Sequence, residues 1–222
     1  MARNTRTRII ETALRLFNER HFGNVTTAEL AAAVGVTEGN LWYHFRNKRA
    51  LLDAISVLYV EQADRRLLMA PGAGDILDGY ARLLAALTTE IQTFRFIFRD
   101  RADYGEHSEV LRQHAGRIYR ASWAQLGRFF VALKAAGHLD IDEAAIAPLV
   151  TNAIIVIRFS FELFREMNLD DAAAARLQAW GVLQHLNGLG PALTPAARAQ
   201  LIERLNLHDT IRAADELLSL AP

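Results

Sequence analysis

Cysteine is absent from this 222-residue chain, which excludes a disulfide framework and a thiolate metal centre and is compatible with a reducing, cytoplasmic address. Net charge is absent too, with 25 Lys and Arg balancing 25 Asp and Glu. Taken over the whole molecule, that balance argues against a nucleic-acid partner. No stretch sustains period-two alternation between hairpin turns, so a sheet protein is excluded. Enzyme signatures are also missing. There is no glycine-rich phosphate loop, and the seven His residues show no metal-type spacing. The carboxylate pairs Asp100/Asp103 and Glu162/Glu166 each have Arg at helical spacing, the pattern of solvated ion pairs. No catalytic residue, metal or cofactor is assigned, and the chain is read as a non-enzyme. Its first residues, MARNTRTRIIETAL, lack the apolar centre of a signal peptide. One apolar run, Ala144 to Phe164, approaches the length of a membrane span. It contains Asn152, Arg158 and Glu162, however, and a central Arg and Glu are expensive in hydrocarbon. The run therefore reads as a buried helix, with no membrane partner.

What is present is apolar bulk and an uneven distribution of charge. Hydrophobic residues make up 51% of the chain, enough for one or two cores. Residues 1 to 50 hold eight basic side chains against four Glu, a balance of +4, and the rest holds 17 basic against 21 acidic, a balance of −4. A basic end on an acidic body fits a DNA-binding domain joined to a domain of another kind.

The most informative stretch is VTTAELAAAVGVTEGNLWYHFRNKRALL, Val25 to Leu52. Thr26 followed three residues later by Glu29 fits a capping box, so a helix begins at Thr26 or Thr27. Leu30, Ala31 and Val34 give that helix an apolar face, and Gly35 turns the chain. Thr37 then caps a second helix running to about Phe45. Leu41 and Phe45, four residues apart, anchor it, leaving Thr37, Glu38, Gly39, Asn40, Trp42, Tyr43 and His44 mostly outward. Helix, short glycine-containing turn and helix is the arrangement that places a second helix in the DNA major groove. Asn47 caps a long, rigid further helix that begins at Lys48 and runs to about Met69.

The remaining periodicity is also helical. Asn4 or Thr5 opens a first helix carrying Ile9, Ile10, Ala13, Leu14 and Phe17, with Gly23 as its stop. Beyond Pro71 and Gly72, Asp75 caps a helix through Ile91. Thr93 opens the short segment FRFIFRDR, and a long helix then runs from about His107 to Ala136. The apolar run follows from Asp142, and another helix runs from Asp170 or Asp171 to about Gly188. Thr194 with Pro195 starts a short helix, and a last amphipathic one spans about Asp209 to Leu220. No internal repeat or low-complexity tract interrupts this order. The expected fold is all-α: an N-terminal three-helix DNA-binding domain with a helix-turn-helix, residues 1–50, is joined by the long fourth helix to a larger helical domain, residues 51–222.

At Val25 to Leu52 the chain resembles the tetracycline-repressor (TetR) family of bacterial transcriptional regulators. The carrying motifs are VTTAELAAAVGV and EGNLWYHFRNKRALL. The second matches the family's succession of Gly, a variable residue, Leu, two aromatics, His, Phe, a variable pair, Lys and a Leu pair. Two positions depart from the commoner pattern: Trp42 stands where Tyr is usual, and Glu38 puts a negative charge beside phosphates, which suggests pairing with a neighbouring Arg. Beyond about Val60 the resemblance is one of layout only. It implies a homodimer on double-stranded DNA, with two helices per chain forming the dimer face. The helices Ala144 to Glu166 and Asp171 to Leu186 carry more large apolar residues than one buried face needs; the other reading is that both are core.

Chemistry assigns roles within that frame. Thr26 or Thr27, Tyr43 and Lys48 are expected at phosphates, as the matching family positions are. Arg3, Arg6 and Arg8 are expected near the backbone or simply solvated. Thr37, Glu38, Asn40, Trp42 and His44 are expected at base edges or in close groove contact, with Gly39 allowing close approach. Asn40 suits an adenine edge and Glu38 a cytosine amine. Trp42 could instead be a packed hydrophobic residue. Aromatic and polar residues of the second domain, Arg95, Phe98, Tyr104, Tyr119, Trp123, Phe159 and Glu162, suit either an apolar effector pocket or plain core. The resulting expectation is a ligand-responsive regulator, a repressor released by a small apolar or amphipathic effector. The alternative is a helical small-molecule carrier or interaction protein whose N-terminal motif is only structural.

Overall fold

The computed structural model describes residues 5–72, 74–100, 108–166 and 177–219, with the side chains of 161–166 and 217–219 outside the description. Arg3, Asp103, Tyr104, the Glu162 and Glu166 side chains and the helix start at Asp170 or Asp171 thus fall outside it. The described residues are helical, with a single isolated bridge, Leu139 to Leu193, in place of any sheet. The all-α expectation holds. Two compact units divide the chain: residues 1–64 with 90–119, and residues 65–89 with 120–222. The first unit is therefore discontinuous in sequence.

In the first unit, α1 (Thr5–Arg20), α2 (Thr27–Val34), α3 (Glu38–His44) and the start of α4 (Lys48–Leu67) surround a core of Ile9, Phe17, Leu30, Leu41, Leu51 and Ile55, all fully or nearly fully buried. Burying one large aliphatic or aromatic side chain stabilises by roughly 1.5–3 kcal/mol, so these six do most to hold three short helices together. Phe94, Phe96 and Ile97 join the same core. Phe94 lies between α5 (Ile76–Thr93) and α6 (Arg95–Arg99), and Phe96 and Ile97 come from α6. Thr93 is the expected opener of α6, but the start of that helix is served from another one: the Asn18 side-chain oxygen of α1 accepts the Phe96 amide at 2.9 Å, and the Asn18 amide donates to the Thr93 carbonyl at 2.9 Å.

Helix α1 also ends earlier than the glycine signal implies. It stops at Arg20, and His21 takes the left-handed conformation (φ 69°), which a side chain bearing a Cβ adopts only under constraint. That constraint comes from Asp100, as described below.

The second unit holds the earlier part of α5, most of α7 (Glu109–Ala135), then α8 (Glu143–Glu166), α9 (Trp180–Leu189), α10 (Pro195–Arg204) and α11 (His208–Ser219). Its core contains Tyr80, Phe129, Phe130, Leu133, Val150, Ile157, Leu186 and Leu201. Helices α8 and α9 pack closely where Gly181 faces Ile157; a Cβ at Gly181 would stand 2.9 Å from the Ile157 Cα, which explains a glycine inside that helix. Tyr80 and His185 are buried together with the hydroxyl 2.5 Å from Nε2, and the His185 ring stacks on Phe130. Burial pushes the His185 pKa down to about 4 and the Tyr80 pKa up.

The apolar run is not buried all round, which departs from the plain-core reading and agrees with its having more large apolar residues than one buried face needs. Only 17% of Glu143–Ser160 is buried within the chain, and Ile155 and Phe159 are each half exposed. Val150, Ala153 and Ile157 face the core, so the helix buries one stripe and leaves a second apolar stripe open. Apolar content predicts that such faces are covered, but content alone does not say what covers each one.

Candidate nucleic-acid interface

The interface is built from α2, a three-residue turn and α3. Thr26 caps α2 through its hydroxyl, which accepts the Glu29 amide, while the Glu29 carboxylate accepts the Thr26 amide at 2.8 Å. The Thr26 amide, the Arg20 guanidinium at 2.7 Å and the Thr26 hydroxyl hold the Glu29 carboxyl down to about 2. Gly35 closes α2 in the left-handed conformation (φ 77°), its amide on the Ala31 and Ala32 carbonyls. Thr37 caps α3 by accepting the Asn40 amide at 3.2 Å. A seven-residue helix cannot stand alone; Leu41 and Phe45, both buried, fasten it to the unit.

With those anchors inward, Thr37, Glu38, Gly39 and Asn40 are exposed and Tyr43 is 84% exposed. Thr26 is exposed, Thr27 half-buried, and His44 half-buried with its ring edge against Tyr43. An open groove of about 500 Å³ runs past Thr5, Gly35, Val36, Thr37 and Asn40. The two departures from the family pattern resolve differently. Trp42 is half-buried and packs on the first core, which fits the packed reading weighed beside groove contact. Glu38 takes the Thr27 hydroxyl at 2.9 Å, not an Arg, because Thr27 at the start of α2 is the donor that the turn brings beside it.

The cations are more committed than the sequence suggests. Arg6 lies over the Phe45 ring, 5.0 Å from its centroid, and Arg8 donates to the Val34 carbonyl at 2.5 Å, the last turn of α2. Lys48 donates to the Phe22 carbonyl at 2.5 Å, and its Nζ sits 4.3 Å from the Phe22 ring centroid. Burial pulls the Lys48 pKa down against the opposing pull of Glu29. Since an ammonium has three donors, two remain for another acceptor.

Sequence reasoning missed the group that holds these parts in place. Asp100 is buried, and its carboxylate accepts the Phe22 amide at 2.7 Å, the His21 ring at 2.9 Å and the Arg99 guanidinium at 2.5 and 2.9 Å. Burial pushes the Asp100 carboxyl up; Arg99, the Phe22 amide and His21 outweigh it, and the pKa lies below its ordinary value. Asp100 is thus no solvated ion pair, because Arg99 beside it also caps α1 through the Phe17 and Asn18 carbonyls at 2.7 and 2.8 Å. No local pattern could reveal contacts 78 positions apart.

The residues named for an effector pocket are divided. Arg95 and Phe98 belong to the first unit, where Arg95 reaches the Asn18 carbonyl at 3.3 Å and Phe98 meets the Tyr59 ring edge-on. Both contacts tie α6 to its neighbours. Tyr119 is half-buried at the end of the same unit. In the second unit Trp123 is partly exposed, its indole donating to the Thr151 hydroxyl at 3.2 Å, and Phe159 lies on the open stripe of α8 under Arg158.

Comparison with known proteins agrees with this geometry. Residues 9–55 match the family model of bacterial regulatory proteins of the tetR family, and residues 58–201 match that of a bacterial transcriptional repressor. The class D tetracycline repressor protein of Escherichia coli is 39% identical over 83 residues, 37% of each chain. The HTH-type transcriptional regulator TtgR of Pseudomonas putida is 43% identical over 54 residues, 24% of this chain and 26% of that one. The chain thus covers little more than a third of the tetracycline repressor's length and about a quarter of TtgR's. A TetR-family transcriptional regulator from Marinobacter aquaeolei VT8 superposes with a TM-score of 0.77 at 27% identity, covering 92% of this chain and 98% of that one. A capped helix-turn-helix with an outward polar helix, followed by a helical body that the repressor model matches from residue 58 to 201, makes this chain a member of the TetR family of DNA-binding bacterial transcriptional regulators.

Proposed function

We propose that the protein is a repressor that binds a pseudo-palindromic operator as a homodimer and is released by a small apolar or amphipathic effector acting on its helical second unit. The observation that carries this reading is the outward display of Thr37, Gly39, Asn40 and Tyr43 on a helix anchored by Leu41 and Phe45. A single short reading helix gives weak specificity, and two-fold pairing on half-sites supplies the rest. The open stripe of α8, with Ile155 and Phe159 half exposed, is the surface we assign to a second copy. The description of the matched body as a bacterial transcriptional repressor supports repression over activation. The names of tetracycline-repressor relatives do not extend to the effector here, since those matches span only 83 residues. An effector with unequal affinity for two arrangements of the dimer would shift its hold on DNA. Tyr43 and Lys48 take phosphates, Asn40 takes a base edge, and the protein works in the cytoplasm.

A salt series on a mixed-sequence DNA duplex, read by fluorescence anisotropy, tests the reading. Several phosphate contacts give a log-log slope of about −0.9 per contact. The rival, a carrier with a merely structural motif, gives no complex at any salt. Asn40→Ala should relax preference at one base pair by ~1–3 kcal/mol; a loss spread evenly over all sequences would remove its assigned role.

A further inference from the structure

Phe22 is held on both sides of its backbone. Its amide donates to the Asp100 carboxylate at 2.7 Å, and its carbonyl accepts from the Lys48 ammonium at 2.5 Å. The preceding residue, His21, is the left-handed residue that turns the chain out of α1, and its ring meets the same carboxylate at 2.9 Å. Such a backbone persists only where its surroundings over-determine it. Here the surroundings are one buried carboxylate and the Arg99 beside it, whose guanidinium also occupies the last carbonyls of α1. The Lys48 side chain is flexible and strongly hydrated, yet here it is tethered by one N–H and laid over the Phe22 ring.

We propose that Asp100 is a positioning residue for DNA binding: it fixes the His21–Phe22 backbone, which in turn holds the Lys48 ammonium with two donors turned to a phosphate. This rests on the reading of Lys48 as a phosphate contact. The tether removes rotamer freedom before DNA arrives, so less is lost on binding. An Asp100→Asn change keeps shape but replaces one carboxylate oxygen with an NH2 group, which opposes either the Phe22 amide and one Arg99 N–H or the His21 ring and the other Arg99 N–H, and the Phe22 carbonyl loses its fixed place.

The test uses the full chain and the salt dependence of its binding to a mixed-sequence duplex. Lys48→Met should weaken binding roughly tenfold and reduce the salt slope by about one contact. Asp100→Asn should do the same, and the double variant should show no further loss of slope. A simple loss of folded protein shifts affinity without changing slope, so slope separates positioning from instability. Should Asp100→Asn fail to fold, Asp100→Glu, which keeps the charge but displaces it by one methylene, gives the same reading with a smaller loss. If Lys48→Met leaves the slope unchanged, the phosphate assignment falls. If Lys48→Met lowers it and the Asp100 variants do not, or if the two losses add, the positioning role falls while the phosphate contact stands.

Discussion

Helix α3 and helix α8 both leave a face uncovered, and the two faces are opposite in chemistry. On α3 the open groups are hydroxyl, amide, carboxylate and phenol, which water solvates until a polar surface replaces it. On α8 the open groups include Ile155 and Phe159, whose contact with water costs about 25 cal/mol per Å². A polar face can wait exposed, whereas a contiguous apolar one favours association. The pair teaches that exposure arises in the two places for different reasons: α3 is held out by its anchors, and α8 keeps an apolar stripe that the described residues of its own chain do not cover.

The largest way to break this contrast is to charge the α8 stripe. Ile155→Glu with Phe159→Glu should halve the mass seen by sedimentation. It should also lower affinity for a two-half-site duplex by on the order of 10²–10⁴, the scale of lost bivalency, while α3 remains folded. Retention of the dimeric mass would assign the stripe to ordinary surface. A smaller effect separates the regions by pH. Burial holds His185 at about 4 against an ordinary 6.5, so the unfolded chain binds its proton first. Stability from this group is complete above pH 6.5 and declines as pH falls to about 4, by at most about 3 kcal/mol. Glu29, held at about 2 against 4.5, loses its contribution only below pH 4.5. Residue-resolved amide exchange should show α9 loosening at pH 5 while α2 stays protected, and His185→Gln should remove the pH 5 step.

The same contrast explains what is legible in the sequence. The Thr26–Glu29 box, the Gly35 turn, the Thr37 cap and the inward Leu41 and Phe45 all act within a few residues of themselves, so spacing alone locates them. Asp100, Asn18 and His21 act across 75 to 79 positions, and nothing adjacent to them signals a partner. Gly23 is a reasonable helix stop by composition; tertiary contacts place the left-handed residue at His21 instead. For α8 the apolar count is correct, yet the count is blind to which surface covers it. Trp42 stands between groove and core in the sequence, and in the fold it is half-buried against core neighbours that no local pattern announces.

The smallest effect isolates α3 from everything else. Thr37 accepts the Asn40 amide at 3.2 Å, and a cap of this kind is worth ~1 kcal/mol. Because α3 has only seven residues and owes its stability to two anchors and two ends, loss of the cap should loosen its first turn and leave the second unit untouched. Thr37→Ala is expected to speed exchange of the Asn40 amide and weaken duplex binding about fivefold, with the dimeric mass and the α9 exchange rates unchanged. Thr37→Ser keeps the hydroxyl and should restore both. Equal behaviour of the Ala and Ser variants would show that the anchors alone hold α3 in place, and that its polar face depends on Leu41 and Phe45.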